Sequence, residues 1–273
     1  MEQILTAVIP VVIIGIICAA VLVIASKLMA VKEDERFPVI RECLPGANCG
    51  ACGFAGCDGY AKALCGDPDT AVNLCVPGGV DVAMHLSSLL GKDYDDVEAQ
   101  VAVVHCSGDC DKTQDKVDYK GIESCAAAKL LYGGKGSCSY GCLGLGDCAA
   151  ACPKQAIEIM DGVARVEPSY CIGCGICART CPNHLISLYP AESKAIVACS
   201  NKDKGAQTRK VCTAGCIGCK KCERVCPNGA VTVTDNLAAI DITKCADCPD
   251  PGICAESCTT GCIRIAELAV REK

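Results

Sequence analysis

The sequence has almost no aromatic side chains. Its 273 residues contain no Trp, 2 Phe and 7 Tyr, so aromatic residues cannot organise a core of the usual kind. Positive charge is also in deficit, because 26 Lys and Arg residues oppose 32 Asp and Glu residues. The resulting net charge of −6 argues against non-specific binding to nucleic acid, and we expect no nucleic-acid partner. Only 21% of the residues are charged, which excludes an intrinsically disordered chain.

Cysteine is what the chain has in abundance, with 29 residues. A share this high is typical either of a disulfide-stabilised protein or of a metal protein, and the cellular compartment decides between them. Residues 4 to 26 carry no charge and are long enough to cross a bilayer as one helix. No basic residue precedes them, which disfavours a cleaved signal peptide.

The first positive charges follow this apolar segment, at Lys27, Lys32, Arg36 and Arg41. Positive charge marks the cytoplasmic side of a membrane segment. We therefore expect a single-pass protein of the inner (cell) membrane whose soluble part is cytoplasmic. A reducing compartment disfavours disulfides, so the cysteines are expected to bind metal.

The first group of cysteines has C-x2-C-x4-C spacing at Cys49, Cys52 and Cys57, and Cys75 follows before Pro-Gly-Gly. Three close thiolates and one distant thiolate are typical of a 4Fe-4S cluster. These four cysteines define site 1. Zinc is the alternative, although structural zinc prefers two separated C-x2-C pairs.

Residues 76 to 104 contain no cysteine and have the periodicity of a helix. His85 and His105 belong to this stretch and its end. Isolated histidines are more often packed or solvated than bound to metal, so neither is given a role.

The second half of the chain is a duplication. A shift of 74 positions superimposes five cysteines of the first copy on five of the second without a gap. The paired positions are Cys125 with Cys199, Cys138 with Cys212, Cys142 with Cys216, Cys148 with Cys222 and Cys152 with Cys226. Residues 156–166 likewise match residues 230–240, and each segment has the pattern of a short hairpin.

Each copy contains runs with the C-x2-C-x2-C-x3-C-P spacing of bacterial ferredoxins, at 171–182 and 216–227. In such pairs of runs, three cysteines bind one cluster and the fourth binds the neighbouring cluster. This rule predicts four more 4Fe-4S sites and about five in all. They are site 2 (Cys138, Cys142, Cys148, Cys181), site 3 (Cys152, Cys171, Cys174, Cys177), site 4 (Cys216, Cys219, Cys222, Cys258) and site 5 (Cys226, Cys245, Cys248, Cys254).

Two of these sites depart from the ferredoxin pattern. The first copy has Leu145 where the second has Cys219, so Cys138 is taken as the substitute ligand of site 2. The last run ends in Cys258-Thr259 instead of Cys-Pro, and its loop is widened around Pro249 to Pro251.

Nine cysteines remain outside the five sites. Cys18, Cys43, Cys65 and Cys262 have no partner in the pattern. The other five are either relics of the duplicated ancestor or ligands of a further site, and we expect most of them to be structural. They are Cys106, Cys110, Cys125, Cys199 and Cys212.

No residues form a convincing catalytic site. The chain has no Walker A motif, and the G-x-G-x-x-A match at 144–149 follows a cysteine loop instead of a strand. Iron–sulfur clusters transfer single electrons without a protein nucleophile, which indicates an electron relay. Cationic residues at 202–210 and 220–224 are either a solvated face or a docking surface for an acidic redox protein.

The expected fold is therefore small α+β, with one transmembrane helix, an N-terminal iron–sulfur domain and two tandem ferredoxin-like modules that each hold two clusters. The predicted limits are 1–26 for the membrane anchor, 27–42 for a linker, 43–105 for the N-terminal 4Fe-4S domain, 106–130 for a connector, and 131–195 and 196–273 for the two modules.

The apolar N-terminal segment, the GANCGACGFAGC motif at 46–57, the distant Cys75 and the YGCLGLGDC run at 140–148 together resemble the family of the B subunit of the Rnf complex. The resemblance spans almost the whole chain. It implies a subunit of a membrane translocase that takes electrons from reduced ferredoxin and relays them toward NAD+ reduction on another subunit, coupled to outward Na+ or H+ transport. It also implies that the cysteines of sites 1 to 5 are the cluster ligands.

Two other functions remain open at this point. One is an electron relay of a related complex that keeps a redox-sensor protein reduced. The other is a structural zinc protein that organises a membrane assembly. The second ferredoxin pair favours the energy-conserving relay, because a longer relay suits sustained electron flux.

Overall fold

The computed structural model describes residues 2–28, 34–94, 97–250 and 252–268. Lys32 and Pro251 lie outside the described residues. The chain forms two compact units, Met1–Val39 and Ile40–Lys273.

The first unit is dominated by helix α1 (Glu2–Leu28), which has 27 residues. Its described side chains run from residue 12 to 26, and all of them except Ala25 are exposed. Among the described residues, no helix reaches the length and apolarity of a membrane span. Beyond this helix, Arg36 forms an ion pair with Asp34 at 2.6 Å.

Three helices carry the first cysteines, namely α2 (Phe37–Cys43), α3 (Gly56–Gly66) and α4 (Gly79–Leu90). The scarce aromatic residues concentrate here. Tyr60 is 1% exposed, stacks on Phe54 with ring centroids 5.4 Å apart, and donates its hydroxyl to the carbonyl of Ala71. This pair and Leu86, which is fully buried, supply the apolar support of the region.

The helical pattern predicted across 76–104 corresponds to two elements. Helix α4 ends at Gly91, which adopts a left-handed conformation and so terminates the helix. Strand β1 (Gln100–Val104) follows. Its residues Val101 to Val103 are buried on both faces, and β-branched residues favour such a strand.

The remaining chain contains two copies of one arrangement. The first module contains β1, α5 (Cys125–Leu130), α6 (Asp147–Ala150), β2 (Ile157–Met160), β3 (Val163–Val166), α7 (Ile176–Thr180) and β4 (Ile186–Pro190). The second contains β5 (Ala195–Val197), α8 (Gly205–Val211), α9 (Lys221–Val225), β6 (Val231–Thr234), β7 (Leu237–Ile240), α10 (Ile242–Ala246), α11 (Ile253–Glu256) and β8 (Ile263–Ile265).

Each module pairs its first and last strands and folds its middle strands into a hairpin. Strand β1 is antiparallel to β4, with Val101 opposite Tyr189, and β5 is antiparallel to β8. The hairpins β2–β3 and β6–β7 lie where the duplicated segments predict them. Their turn residues, Asp161-Gly162 and Asp235-Asn236, all have positive φ, as such two-residue turns require.

Strand β1 lies in the segment predicted as the N-terminal 4Fe-4S domain (43–105), and it pairs with β4 in the segment predicted as the first module. The chain between β1 and α6 is therefore a long insertion that starts within this module. Both cores consist of thiols and short aliphatic side chains, with Val163 and Leu185 in one and Val197 and Ile263 in the other.

Candidate iron–sulfur sites

Site 1 is formed where α3 begins and where the chain turns into α4. Cys49, Cys52, Cys57 and Cys75 line one cavity. Burial, together with the other three thiols, raises the pKa of Cys75 to about 11. Asn48 holds the loop by accepting a hydrogen bond from the backbone N–H of Cys57 at 2.9 Å. The structure therefore brings together the four cysteines predicted from their spacing.

Site 3 lies against the first strand of its module. Cys152, Cys171, Cys174 and Cys177 line one cavity. The sulfur of Cys171 accepts a hydrogen bond from the N–H of Ala102 at 3.4 Å, and that of Cys152 accepts one from Ala156 at 3.3 Å. Such N–H donors offset the negative charge of ligating thiolates.

The loop of site 3 depends on one glycine. Gly173 has a φ of +64°, and a Cβ atom there would lie 2.6 Å from the carbonyl oxygen of Gln100. Only glycine allows both this conformation and this close approach to β1.

Site 2 differs from the prediction in one ligand. Cys142, Cys148 and Cys181 line a cavity together with Cys125, whereas Cys138 lies in another cavity. Burial, together with the proximity of Cys142, Cys125 and Cys181, raises the pKa of Cys148 to about 12. The structure therefore puts Cys125 where the sequence suggested Cys138.

Asp147 fixes the position of Cys125. Its carboxylate accepts hydrogen bonds from the Ser124 hydroxyl at 3.0 Å, the N–H of Cys125 at 2.9 Å and the N–H of Ala126 at 3.0 Å. Burial opposes ionisation of Asp147, but these donors outweigh it and lower its pKa. The carboxylate therefore ties the start of α5 to the start of α6.

The second copy lacks this tie, because Ala198 and Lys221 occupy the positions of Ser124 and Asp147. This difference between the copies is the sequence feature that could have identified Cys125 as a ligand. Each copy has a cysteine at 125 or 199, but only the first copy has Leu145 in place of a ligand and a carboxylate that holds the upstream cysteine.

Site 4 gathers its four predicted cysteines and one more. Cys216, Cys219, Cys222 and Cys258 line a cavity with Cys262, whose sulfur is 3.6 Å from that of Cys258. A hydrogen bond from the Cys262 thiol lowers the pKa of Cys258 to about 4. Hydrogen bonds to Cys216 and then to Cys258 raise the pKa of Cys262 itself. In the first module the corresponding residue is Leu185, so the duplication did not point to this thiol.

Site 5 brings together Cys226, Cys245, Cys248 and Cys254. Burial raises the pKa of Cys245, and the proximity of Cys248 and Cys226 raises it further. Burial and the proximity of Cys245 and Cys226 do the same for Cys254. The sulfur of Cys226 accepts the N–H of Ala230 at 3.2 Å, as Cys152 accepts that of Ala156 in the first module.

A further cavity contains none of the five sites as a whole. It has a volume of about 290 Å³, and Cys106, Cys138, Cys199 and Cys212 lie on its wall. Cys110 also reaches the wall, but it is exposed and its thiol donates to the carbonyl of Asp161 at 3.1 Å. His105 is held nearby by the carbonyl of Val197 and the hydroxyl of Ser187.

The thiols surround cavities instead of converging on one point. Within the described ranges, no group of three or more His, Cys, Asp or Glu side chains is placed to hold a single metal ion. Glycines, backbone N–H donors and four surrounding thiols are the features that fit a 4Fe-4S cluster.

Two protein families match segments of the chain. Residues 170–230 match the family described as a 4Fe-4S dicluster domain, and residues 44–77 match an Fe-S cluster family.

Relatives match over most of the chain. It is 45% identical to the B subunit of the proton-translocating ferredoxin:NAD(+) oxidoreductase complex of Clostridium ljungdahlii, covering 92% of this chain and 89% of the relative. It is 39% identical to the B subunit of the Na(+)-translocating ferredoxin:NAD(+) oxidoreductase complex of Acetobacterium woodii, covering 91% and 74%. It is also 39% identical to the B subunit of the ion-translocating oxidoreductase complex of Methanosarcina acetivorans, covering 92% and 94%.

Proposed function

Because the chain belongs to the family of the B subunit of the ion-translocating ferredoxin:NAD+ oxidoreductase (Rnf) complexes, we propose that it relays electrons from reduced ferredoxin through 4Fe-4S clusters toward NAD+ reduction on another subunit. The reaction is coupled to translocation of H+ or Na+, the two ions named for its relatives. The chain supplies cluster ligands, and the NAD site belongs to another subunit.

The observation that carries this proposal is the grouping of cysteines around separate cavities. Sites 1, 3, 4 and 5 hold clusters with the ligands expected from sequence, and site 2 does so with Cys125 in place of Cys138. Each bound cluster supplies one-electron redox chemistry. The chain's own N–H donors, such as that of Ala102, offset the charge of the thiolates and so tune the potentials.

Contacts and shared runs join sites 1, 2 and 3 in one group and sites 4 and 5 in another, which supports electron relay within each group. Arg179, in α7, donates to the carbonyl of Cys49 at 2.5 Å, which ties site 1 to site 3. Cys174 of site 3 lies close enough to Cys49 to have its pKa raised by it, after the larger effect of burial. Sites 2 and 3 share the run 171–182, and sites 4 and 5 share the run 216–227.

Metal analysis and a vesicle assay test the proposal together. Membrane vesicles that contain the complex should reduce NAD+ with reduced ferredoxin, and vesicles from cells lacking this chain should not. The purified chain should contain iron and sulfide. A colourless chain that contains zinc, or NAD+ reduction that does not depend on the chain, would contradict the proposal.

We also propose that α1 anchors the chain in the cell membrane by a single pass, with the remainder in the cytoplasm. The uncharged residues 4 to 26 and the cations that follow support this topology. Deletion of residues 2–26 should release the chain into the soluble fraction, and retention of the truncated chain in washed membranes without the other subunits would contradict an anchor in this segment.

Site 4 is the proposed entry point for electrons from ferredoxin. Cys219 is exposed, and it lies directly beside Lys220 and Lys221 in an acidic chain. Lys220 is mostly exposed and reaches Glu223 only at 3.7 Å, so its charge is available to a partner. An acidic ferredoxin would be steered toward this edge by long-range attraction.

Charge reversal tests this docking surface. Lys220→Glu/Lys221→Glu should slow reduction by ferredoxin at low salt and weaken the dependence of the rate on salt. Lys120→Glu is the control, because Lys120 is exposed and its ion pair among the described residues is with exposed Asp118. Equal rates and equal salt dependence in the double variant and the wild type would place the dock elsewhere.

A further inference from the structure

The cavity between the two modules is lined by four cysteines that the five sites leave unused. Cys106 and Cys138 come from the first module, and Cys199 and Cys212 come from the second. Cys106 follows β1 and Cys199 follows β5, so the corresponding strands of the two modules deliver one thiol each. Cys138 and Cys212 are equivalent in the duplication. Each module therefore contributes one cysteine that follows its first strand, and one cysteine that has an equivalent in the other copy. The duplication pairs Cys199 with Cys125, so Cys106 and Cys199 correspond only by their place after β1 and β5.

Each of these sulfurs has N–H groups directed at it. Cys106 accepts from the backbone of Cys142 at 3.4 Å, and Cys199 accepts from Cys216 at 3.2 Å and from Asn201 at 3.4 Å.

The sulfurs of Cys212 and Cys138 also have backbone or side-chain amides nearby. The backbone of Ala214 and Gly215 lies beside the sulfur of Cys212, and the side-chain amide of Asn201 lies 3.5 Å from the sulfur of Cys138. Asn201 is 2% exposed, so its side chain is committed to this interior. N–H donors of this kind offset the negative charge of cluster thiolates, so their presence around all four sulfurs fits cluster ligands.

A buried polar group also faces the cavity without a partner. Ser107 is 2% exposed and lines the cavity, yet within the described part of the chain its hydroxyl makes no hydrogen bond. A buried hydroxyl without a partner is costly, and a sulfide or thiolate acceptor in the cavity would satisfy it.

We propose that Cys106, Cys138, Cys199 and Cys212 hold a sixth 4Fe-4S cluster that bridges the two ferredoxin-like modules. Each thiol loses one proton when it binds iron, and the cluster then accepts one electron and passes one on. This intermodule cluster also joins the modules mechanically, because its ligands are divided equally between them.

The position of this site makes it the link between sites 2 and 4. The backbone N–H of Cys142, a ligand of site 2, donates to Cys106, and the N–H of Cys216, a ligand of site 4, donates to Cys199. The relay role of the sixth cluster rests on the proposed function, whereas its presence does not.

Iron and sulfide content of the purified complex tests the presence of the cluster independently of activity. Cys138→Ser and Cys212→Ser should each lower the content by about four iron and four sulfide per copy of this chain. The double variant should lose no more than either single variant, because both cysteines serve one cluster. Cys110→Ser is the matched control in the same cavity wall and should retain the wild-type content.

Full iron content in either single variant, or additive losses in the double variant, would overturn the proposal. A measurement on the wild-type complex avoids any effect of substitution on folding. Under native alkylation, Cys110 should react and the four proposed ligands should not, and alkylation of any of the four would also overturn the proposal.

The relay role has a separate readout. If the sixth cluster is in the path, the single variants should lose NAD+ reduction by ferredoxin while dithionite still reduces their remaining clusters. Wild-type activity with four fewer irons would leave the cluster in place and refute its relay role. Wild-type vesicles that reduce no NAD+ would instead refute the proposed function.

Discussion

Replacing Cys125 should empty site 2, and a second substitution should restore it. Cys125→Ala removes the fourth thiol of the site, whereas Cys138→Ala should leave site 2 intact. The compensating change is Leu145→Cys, because Cys219 supplies the corresponding ligand in the second module. Leu145 is half-buried and packs beside Cys125, so a thiol at position 145 starts next to the vacated ligand position.

The expected size of the effect follows from the cluster itself. Cys125→Ala should cost about four iron and four sulfide per chain, and the double variant Cys125→Ala/Leu145→Cys should regain them. Cys125 is buried, so its replacement by alanine also removes packing contacts. This loss alone should lower the free energy of unfolding by about 1–3 kcal/mol, and the loss of the cluster adds to it. We therefore expect the double variant to recover its metal content more fully than its thermal stability.

The assay is iron and sulfide analysis of the purified complex, with electron paramagnetic resonance of the dithionite-reduced sample to count the remaining clusters. Retention of all iron in Cys125→Ala would refute the assignment of Cys125. Loss of the cluster from Cys125→Ala with no recovery in the double variant would refute the equivalence of positions 145 and 219.

Three further substitutions test the supports of the sites. Asp147→Asn should weaken the hold on Cys125 by about 1–2 kcal/mol after allowance for solvent, seen as faster loss of iron to a chelator, and exposed Asp118→Asn should lose iron at the wild-type rate. Arg179→Gln removes a positive charge beside sites 1 and 3 and should lower the reduction potentials of their clusters in a redox titration. Arg179→Lys is the control and should preserve these potentials. Unchanged potentials in Arg179→Gln would argue against this role. Gly173→Ala combines a left-handed backbone with a clash against β1 and should cost about 2–5 kcal/mol, measured as a lower thermal midpoint of the holoprotein; an unchanged midpoint would show that the loop can move.

Spacing alone predicted the grouping of most cysteines because neighbouring ligands lie on one short loop. In the run 171–182, neighbouring thiols of the first three cysteines are separated by only two residues, so the chain keeps them together, and one short helix leads to the fourth. The hairpins at 157–166 and 231–240 could also be predicted from local sequence, since their turn residues and strand residues are adjacent in the chain. These features needed no knowledge of the tertiary fold.

Cys125 and the strand at 100–104 depend on distant contacts. Cys125 lies 17 residues before Cys142 in the chain, and Asp147 helps to hold it at site 2 by tying the two helix starts together. The strand β1 is defined by its pairing with β4, which lies more than 80 residues later in the chain. The intermodule cavity exists only when both modules are docked, so no local pattern could point to its four thiols.

The pairing of the first strand with the last strand in each module has an evolutionary consequence. The chain leaves a module beside the point where it entered, and four residues, 191–194, suffice to connect β4 with β5. A duplicated gene segment could therefore be spliced in tandem without rerouting any existing strand. Proteins of this architecture can grow by whole units, and each new unit brings equivalent thiols to the junction where it meets its predecessor.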